Sequence, residues 1–351
     1  KVQINQLKEK GHHVDVLIVT KDMLEDLVIE EGWEYTNIFP EGRKIKNVHV
    51  MMGAFISFFK SIYRLWKYTI GKKYDLYVGD LLSVLSLIRR THSLHPTDDV
   101  FAAVPEDLIF FLTTEHAIAP VVCDLGRFNK YKIGYKGIKA LAHLHPNHFK
   151  PNKKVLPIEL QDGSPYFLIR CTGFMATHDI NKSGISDKVL LKLVKLLKPY
   201  GKIFITSERI LPKELNQYQL TIRKNDITHY MSFANIFISD STTMSAEAAV
   251  LGTPSIEIDE YFYEIEQMIQ LEKKYKLIHC YRVNEIDQFF DKINQLLKIK
   301  NLENIYHNRK NKMLSEMIDL SEFLVWLFEN YPESKNEYFL HFHKTQTCGK
   351  Y

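Results

Sequence analysis

Short apolar runs alternate with stretches in which apolar residues recur every three or four positions, and this alternation continues along most of the chain. The short runs, such as residues 14–20 and 166–170, are rich in β-branched and aromatic residues and have the length of buried strands. The longer stretches, such as residues 187–197, place their apolar residues on one helical face. Strands and helices in regular alternation predict parallel sheets covered by helices, which is an α/β fold.

An interval rich in glycine and proline, residues 130–154, divides this alternation into two halves. The strand and helix pattern starts again at residue 166, and a chain of 351 residues is long enough for two domains of common size. Residues 332–351 show no clear period. We therefore expect an N-terminal domain, a hinge, a C-terminal domain and a loose tail, over residues 1–135, 136–165, 166–330 and 331–351, respectively.

The amino-acid composition favours some classes of protein over others. With 45% hydrophobic and 25% charged residues the chain is typical of globular proteins. A net charge of +4 is too small to favour nucleic-acid binding. The four cysteines are scattered without a C-x-x-C pair, which favours reduced thiols in a cytoplasmic protein over disulfides or zinc ligands. No apolar run approaches the roughly 20 residues of a membrane span.

The most informative stretch is residues 236–256, which read IFISDSTTMSAEAAVLGTPSI. An apolar strand ends in a hydroxyl-rich turn, a helix of small residues follows, and Gly252 marks its end. Ser241, Thr242 and Thr243 stand where this helix begins, so their hydroxyls and amides can bind an anion. Glu247 follows about one turn later, within reach of a sugar hydroxyl. A capped structural helix is the alternative, but the residues favour a phosphate and ribose site.

This stretch resembles the donor-binding signature of GT-B enzymes of the UDP-N-acetylglucosamine 2-epimerase type, D-S-G-G-x-x-E-E-A…L-G-x-P. Thr242 and Thr243 replace its two glycines, and Ala246 replaces its first glutamate. In that family the hydroxyl and glycines hold a diphosphate and the last glutamate holds the ribose. The positions that match are Asp240, Ser241, Glu247, Ala248, Leu251, Gly252 and Pro254.

The chain resembles still more closely a prokaryotic family catalogued as domain of unknown function 354, which is GT-B-like and often found among polysaccharide genes. The supporting segments are residues 134–146, the loop at His178 and Asp179, residues 202–215 and the signature stretch. The resemblance implies two Rossmann-type βα domains with parallel sheets that face a central cleft. It also implies that the first strand of the N-terminal domain, with its loop, precedes Lys1.

Further donor contacts are expected at the carboxyl ends of neighbouring strands, because ligands bind there in parallel sheets. Arg170 and His178, in the loop with Asp179, are candidates for the diphosphate, since Arg suits bidentate phosphate contact. Glu208 and His229 are candidates for flanking the nucleoside. The alternatives are a surface ion pair for Arg170 and capping roles for His178 and Glu208.

In the first half, carboxylates and imidazoles are candidates for the catalytic base that takes a proton from an acceptor hydroxyl. The related epimerases carry a Gly-Asp at a strand end that corresponds to Gly79-Asp80, and a carboxylate after the next strand. The resemblance implies no required metal and no cofactor beyond the sugar nucleotide. Loop capping is the alternative for each residue. The candidates are Asp80, His95, Asp98, Asp99 and, less specifically, His116.

Two other features are open to more than one interpretation. His143, His145 and His148 are interpreted as hinge packing rather than as a zinc site, because no Cys ligand accompanies them. The apolar stripe between Phe55 and Ile70 is interpreted as core, and a peripheral contact of residues 55–73 with an anionic membrane is the alternative.

These observations predict a GT-B glycosyltransferase that uses a nucleotide sugar, with UDP as the expected nucleotide, in cell-surface polysaccharide synthesis. The acceptor would be a sugar or a lipid-linked sugar. A non-hydrolysing UDP-sugar 2-epimerase is the first alternative, and a nucleotide-sugar-binding protein without catalysis is the second. The expected place is the cytoplasm, with the inner face of the membrane as a variant.

Overall fold

The computed structural model describes residues 1–20, 24–41, 50–98, 107–173, 184–260 and 262–348. The chain divides into two compact units, which are described separately. Unit 1 comprises Lys1–Lys136 together with Leu320–Tyr351, and unit 2 comprises Gly137–Asp319.

The secondary structure alternates between strands and helices, as the apolar pattern predicts. The strands are β1 (Val16–Val19), β2 (Tyr35–Phe39), β3 (Leu76–Val78), β4 (His92–Pro96), β5 (His116–Pro120), β6 (Lys132–Tyr135), β7 (Tyr166–Cys171), β8 (Lys202–Ser207), β9 (Ile236–Ser239), β10 (Ser255–Ile258) and β11 (Ile278–Tyr281). The helices are α1 (Val2–Glu9), α2 (Leu24–Glu30), α3 (Val50–Thr69), α4 (Asp80–Arg89), α5 (Leu108–Thr113), α6 (Leu141–Leu144), α7 (Asp187–Leu197), α8 (Ile227–Ser232), α9 (Thr242–Leu251), α10 (Glu266–Lys273), α11 (Ile286–Leu297), α12 (Leu302–Glu316), α13 (Leu320–Glu329) and α14 (Glu333–Cys348).

The described part of unit 1 contains two parallel sheets, a pair β1-β2 and a four-stranded sheet in the order β3-β4-β5-β6. The sequence pattern did not reveal β4 and β6. β4 has the sequence His-Ser-Leu-His-Pro, which lacks the apolar pattern of a buried strand, although Ser93, Leu94 and His95 are all buried. Asp98 consequently follows a strand and not, as expected, the helix before it. β4 thereby carries His95 to the carboxyl edge of the sheet.

The expected loose tail is helical over α14. Tyr338 on this helix is fixed to strand β6: its hydroxyl donates to the carbonyl of Gly134 at 3.0 Å and accepts from the Gly134 amide at 2.9 Å. The helix therefore belongs to the body of unit 1, and the absence of a clear apolar period did not indicate an irregular chain.

Helix α3 contradicts the prediction that its aromatic stripe is core. Leu65 alone of the predicted stripe is fully buried, whereas Phe55, Phe59, Trp66 and Ile70 are exposed. The buried row consists mainly of small residues at intervals of four, Ser57, Ser61 and Thr69 among them. Small side chains let the helix approach its neighbours closely, so the helix buries its small polar face and leaves the large apolar face uncovered.

Unit 2 is built on a five-stranded parallel sheet in the order β11-β10-β9-β7-β8. β7 and β9 are buried along their whole length, which explains their continuous apolar sequence. The strand order reverses direction between β7 and β9, and their carboxyl ends carry the signature stretch and the Arg170 loop. This is the edge at which doubly wound sheets bind ligands.

Candidate functional site

Helix α9 begins two residues after β9. Its first amides have no partner within the helix, and the hydroxyl of Thr242 donates to Oδ2 of Asp259 at 3.5 Å. Ser241 is the N-cap residue, and its side chain makes no capping hydrogen bond. The first helical bond runs from the Ser245 amide to the Ser241 carbonyl at 2.9 Å, so the amides of residues 242–244 precede the hydrogen-bonded turn. Thr243 is exposed, and Ser241 and Thr242 are half-buried. Accessible amides and hydroxyls at the positive end of a helix form a site for phosphate.

Glu247 lies on the same helix, one turn beyond these amides. Its Oε1 is 3.2 Å from Nε2 of His143, which comes from α6. The Glu247 side chain keeps 15% of its accessible surface, so His143 positions it and part of it stays accessible to a ligand. The hinge histidine that sequence reasoning set aside as packing is thus the residue that orients the candidate ribose ligand.

Asp240, predicted to bind the donor, is instead engaged with the protein. It is buried, and its two carboxylate oxygens accept backbone hydrogen bonds from Thr172 at 2.7 Å and from Ile185 at 3.0 Å. Burial raises its pKa to about 6, while these amide donors act in the opposite direction. Asp240 therefore anchors the two ends of the segment that follows β7.

Arg170 and Glu208, also predicted as donor ligands, pair with each other. The Arg170 side chain is buried and forms an ion pair with Oε1 of Glu208, and Oε2 of Glu208 accepts from the Gly173 amide at 3.0 Å. Arg170 lies opposite Ser239 on the neighbouring strand β9. The pair fixes the start of the segment that follows β7. It is an ion pair, as the alternative proposed, but Arg170 is buried and not at the surface.

The other predicted donor residues have different outcomes. His178 and Asp179 lie outside the described residues. His229 on α8 accepts through Nδ1 from the Asn152 amide at 3.2 Å and stacks on Phe149. It fastens the segment at 149–152 to α8, and this contact gives it a structural role.

Sequence reasoning missed a buried carboxylate beneath the helix start. Glu257 in the middle of β10 is fully buried, and the hydroxyls of Thr242 and Ser245 approach it without a hydrogen bond of ordinary geometry. Burial raises its pKa to about 8, and the charge of Asp259 contributes in the same direction. An acidic residue inside a strand that is otherwise buried was the sequence signal that could have identified it.

In unit 1 the structure brings two predicted catalytic residues together. His95 lies near the end of β4 and is buried against the rings of Phe110 and Phe111, while Asp80 begins α4 and is exposed. His95 Nδ1 lies 3.3 Å from Asp80 Oδ1, which is ion-pair distance without hydrogen-bond geometry. A carboxylate beside an imidazole is the usual arrangement for a general base.

The remaining first-half candidates are less informative. Asp98 is half-buried after β4, and its carbonyl accepts from the Cys123 thiol at 3.1 Å. Asp99 lies outside the described residues. His116 is held by Tyr331, with Nδ1 3.0 Å from the phenol oxygen, and burial lowers its pKa to about 4. His116 is therefore neutral in the physiological range and committed to packing.

Comparison with solved structures defines the class of fold. A UDP-GlcNAc 2-epimerase from Neisseria meningitidis bound to UDP-GlcNAc matches with a TM-score of 0.58 and 15% identity, over 89% of this chain and 94% of that one. The spinosyn forosaminyltransferase SpnP matches with a TM-score of 0.60 and 12% identity, over 92% and 94%. The spinosyn rhamnosyltransferase SpnG, complexed with spinosyn aglycone, matches with a TM-score of 0.58 and 12% identity, over 93% and 95%.

The chain therefore has a GT-B fold, shared by glycosyltransferases and UDP-GlcNAc 2-epimerases. Identities of this size show the fold alone. No model of a known protein family matches the sequence, and no curated protein matches it. Its resemblance to domain of unknown function 354 stays a prediction.

Proposed function

We propose that the protein is a glycosyltransferase that takes its sugar from a nucleotide sugar, with UDP as the nucleotide. The proposed setting is cell-surface polysaccharide synthesis in the cytoplasm, with a sugar or lipid-linked acceptor. Unit 2 binds the donor and unit 1 supplies the base for the acceptor hydroxyl. No metal or cofactor is assigned a role.

The start of helix α9 carries this proposal. Its accessible amides and hydroxyls lie at the carboxyl edge of a parallel sheet, where strand order reverses and ligands bind in such folds. They hold the diphosphate, which becomes the leaving group, and the helix dipole stabilises the charge that it gains. Glu247, oriented by His143, accepts from a ribose hydroxyl.

Arg170 and Asp240 have indirect roles in this mechanism. Asp240 fixes the backbone at Thr172 and Ile185, and Glu208, paired with Arg170, fixes it at Gly173. In unit 1, Asp80 polarises His95 or itself takes the proton of the acceptor, and the acceptor oxygen then displaces the diphosphate at the anomeric carbon.

A non-hydrolysing 2-epimerase is the second candidate, because exposed Asp80 follows Gly79 at a strand end, as the resemblance to the epimerases predicts. In that reaction, first-half carboxylates remove and return a proton at the sugar ring. Product analysis separates the two functions: an epimerase converts a UDP-sugar without an acceptor, whereas a transferase requires one.

Nucleotide binding is tested by measuring how UDP and 2′-deoxy-UDP change the melting temperature of the wild type and of Glu247→Gln. A ligand at 100-fold its dissociation constant adds about 2.7 kcal/mol to the free energy of unfolding, so UDP should raise the melting temperature of the wild type. If Glu247 holds the ribose, Glu247→Gln weakens UDP and leaves the already weaker 2′-deoxy-UDP unchanged.

Glu303→Gln is the matched control, because Glu303 is an exposed helical glutamate of unit 2 and the same charge is lost. It should bind both nucleotides as the wild type does. Equal losses for the two nucleotides in Glu247→Gln would remove Glu247 from the ribose site. No stabilisation by any nucleotide or nucleotide sugar would contradict the proposed function itself. Binding without turnover of any donor would leave a nucleotide-sugar-binding protein.

A further inference from the structure

Helix α3 presents an apolar face that the described part of unit 1 leaves uncovered. Its exposed large residues follow the helical repeat, and their exposure ranges from 38% for Trp66 to 60% for Phe55. Within this row Phe55 and Phe59 form a ring pair at 4.6 Å, and Tyr63 and Trp66 a pair at 6.1 Å. The row consists of Met52, Phe55, Phe59, Tyr63, Trp66 and Ile70.

This face is larger and more regular than the scattered apolar residues of ordinary protein surfaces. The opposite side of the helix is already packed through Ser57, Ser61 and Thr69, so the helix has not simply been turned away from its core. Thr69 is satisfied by the carbonyls of its own helix at 3.1 and 2.9 Å. One face of α3 is therefore packed within unit 1, and the apolar face is exposed and can bind a partner outside unit 1.

The charged residues around the apolar face of α3 indicate what binds there. Between Val50 and Lys73 the sequence has five basic residues and no Asp or Glu. Lys60 and Arg64 are held by Glu41, and Lys72 by Asp15. Lys67 and Lys73 are exposed and form no ion pair with any described residue.

We propose that the α3 face, the exposed row together with Lys67 and Lys73, binds the surface of a membrane that contains anionic lipid. Aromatic and aliphatic side chains enter the boundary between headgroups and acyl chains, and the lysines meet lipid phosphates. Tyr and Trp suit that depth because each has an apolar ring and a polar edge. The assignment is independent of nucleotide binding.

A second copy of the chain fits this face less well than a lipid surface does. A twofold dimer joins the same patch on both copies, so the lysines of one α3 meet the lysines of the other. The helix has no acidic residue to receive them. An anionic bilayer offers an apolar layer and a negative surface together.

The test measures binding of the full chain to vesicles of phosphatidylcholine mixed with phosphatidylglycerol, and to vesicles of phosphatidylcholine alone, by cosedimentation. We expect binding to the mixed vesicles that falls as salt rises. Phe59→Ser should lower the partition coefficient by about tenfold or more, since one buried Phe is lost from the lipid. Lys67→Gln should lower it by about fivefold.

Ile158→Ser is the matched control, because Ile158 is an exposed apolar residue of unit 2, and it should leave binding unchanged. Brominated lipid should quench the tryptophan fluorescence of the wild type, and it should quench that of Trp66→Phe much less. Since all these side chains are exposed, circular dichroism and the melting temperature should not change. Absence of binding, or equal binding of Phe59→Ser, overturns the assignment. The assignment is also overturned if light scattering shows a dimer that Phe59→Ser dissociates and that vesicles leave intact.

Discussion

His143 and Glu247 meet side chain to side chain, with Nε2 of the imidazole 3.2 Å from Oε1 of the carboxylate. The two residues are 104 positions apart in the sequence and belong to helices α6 and α9. Glu247 is therefore held by a residue just after the start of unit 2, while the start of its own helix remains open to a ligand. The pair makes the geometry of the proposed ribose contact dependent on α6.

His143→Ala should weaken UDP binding without abolishing it, because the carboxylate remains but loses its orienting partner. One hydrogen bond of this kind contributes about 1 kcal/mol, so we expect the dissociation constant to rise by about fivefold. The measurement is titration calorimetry on His143→Ala, Glu247→Gln and the double variant. The double variant should bind no more weakly than Glu247→Gln; additive losses would show that His143 acts independently. His13→Ala, an exposed histidine of unit 1, serves as the control.

Asp80→Asn should separate turnover from binding. General base catalysis contributes about 100-fold or more, so the rate of sugar transfer or epimerisation should fall by at least that factor. UDP affinity should stay the same, because Asp80 belongs to unit 1 and is exposed, at 58% of its side-chain surface. Steady-state kinetics and UDP calorimetry on the same preparation check both statements. Full activity in Asp80→Asn would remove Asp80 from the reaction.

Glu257 should make the stability of the protein depend on pH in a defined direction. Its pKa is raised in the folded chain to about 8, so the folded state keeps a proton that the unfolded state releases above its ordinary pKa near 4.5. The resulting stabilisation of the folded state is complete at acidic pH and is lost as pH rises toward 8. The loss is on the order of 5 kcal/mol.

Glu257→Gln removes this dependence because the amide stays neutral. The melting temperature of the variant should be close to that of the wild type at low pH and higher at pH values above the Glu257 pKa. Thermal unfolding across this range measures the difference, and Glu303→Gln should show none. A difference between variant and wild type that does not change with pH would contradict the assigned titration.

A side chain at position 252 would meet both a disfavoured backbone conformation and a close contact, and the two effects can be separated. Its φ is +82°, and a Cβ there would lie 2.9 Å from Cδ2 of His307 and 3.1 Å from Cδ of Lys310. Gly71 has a similar φ of +77° with nothing within 4 Å. Gly71→Ala should cost about 1 kcal/mol of unfolding free energy through strain alone. Gly252→Ala should cost about 3 kcal/mol, because the side chains of His307 and Lys310 on α12 must also shift. Equal losses in urea denaturation would show that the approach of α12 is not limiting.

Local sequence patterns were sufficient for most strands and helices and for the start of α9, but not for β4, β6 or α14. A strand, a hydroxyl-rich turn, a helix and a glycine stop are all encoded by neighbouring residues, and the structure has each of them. The roles of Asp240 and Arg170 were not predictable in this way. Their partners Thr172, Ile185 and Glu208 come close only through the register of β7 with β9 and β8, which no local pattern contains.

Helix α3 shows a second limit of sequence reasoning. A helical apolar period identifies an apolar face, but it does not say whether that face turns toward the sheet. Here the smaller side chains of Ser57 and Ser61 permit close packing, and the aromatic residues lie outside. Strand β4 was missed for a related reason, since burial of His95 and Ser93 depends on neighbours and not on their own polarity.

The assignment of α13 and α14 to unit 1 means that unit 2 is an uninterrupted insertion between two parts of unit 1. A fragment of residues 137–319 therefore contains every described strand and helix of unit 2, the proposed nucleotide-binding unit. The other half has no such linear counterpart: a fragment ending at residue 136 lacks Ser321, to which Gln3 donates at 2.8 Å, and Glu329, which pairs with Lys10. Only unit 2 can therefore be isolated as one continuous piece of the chain.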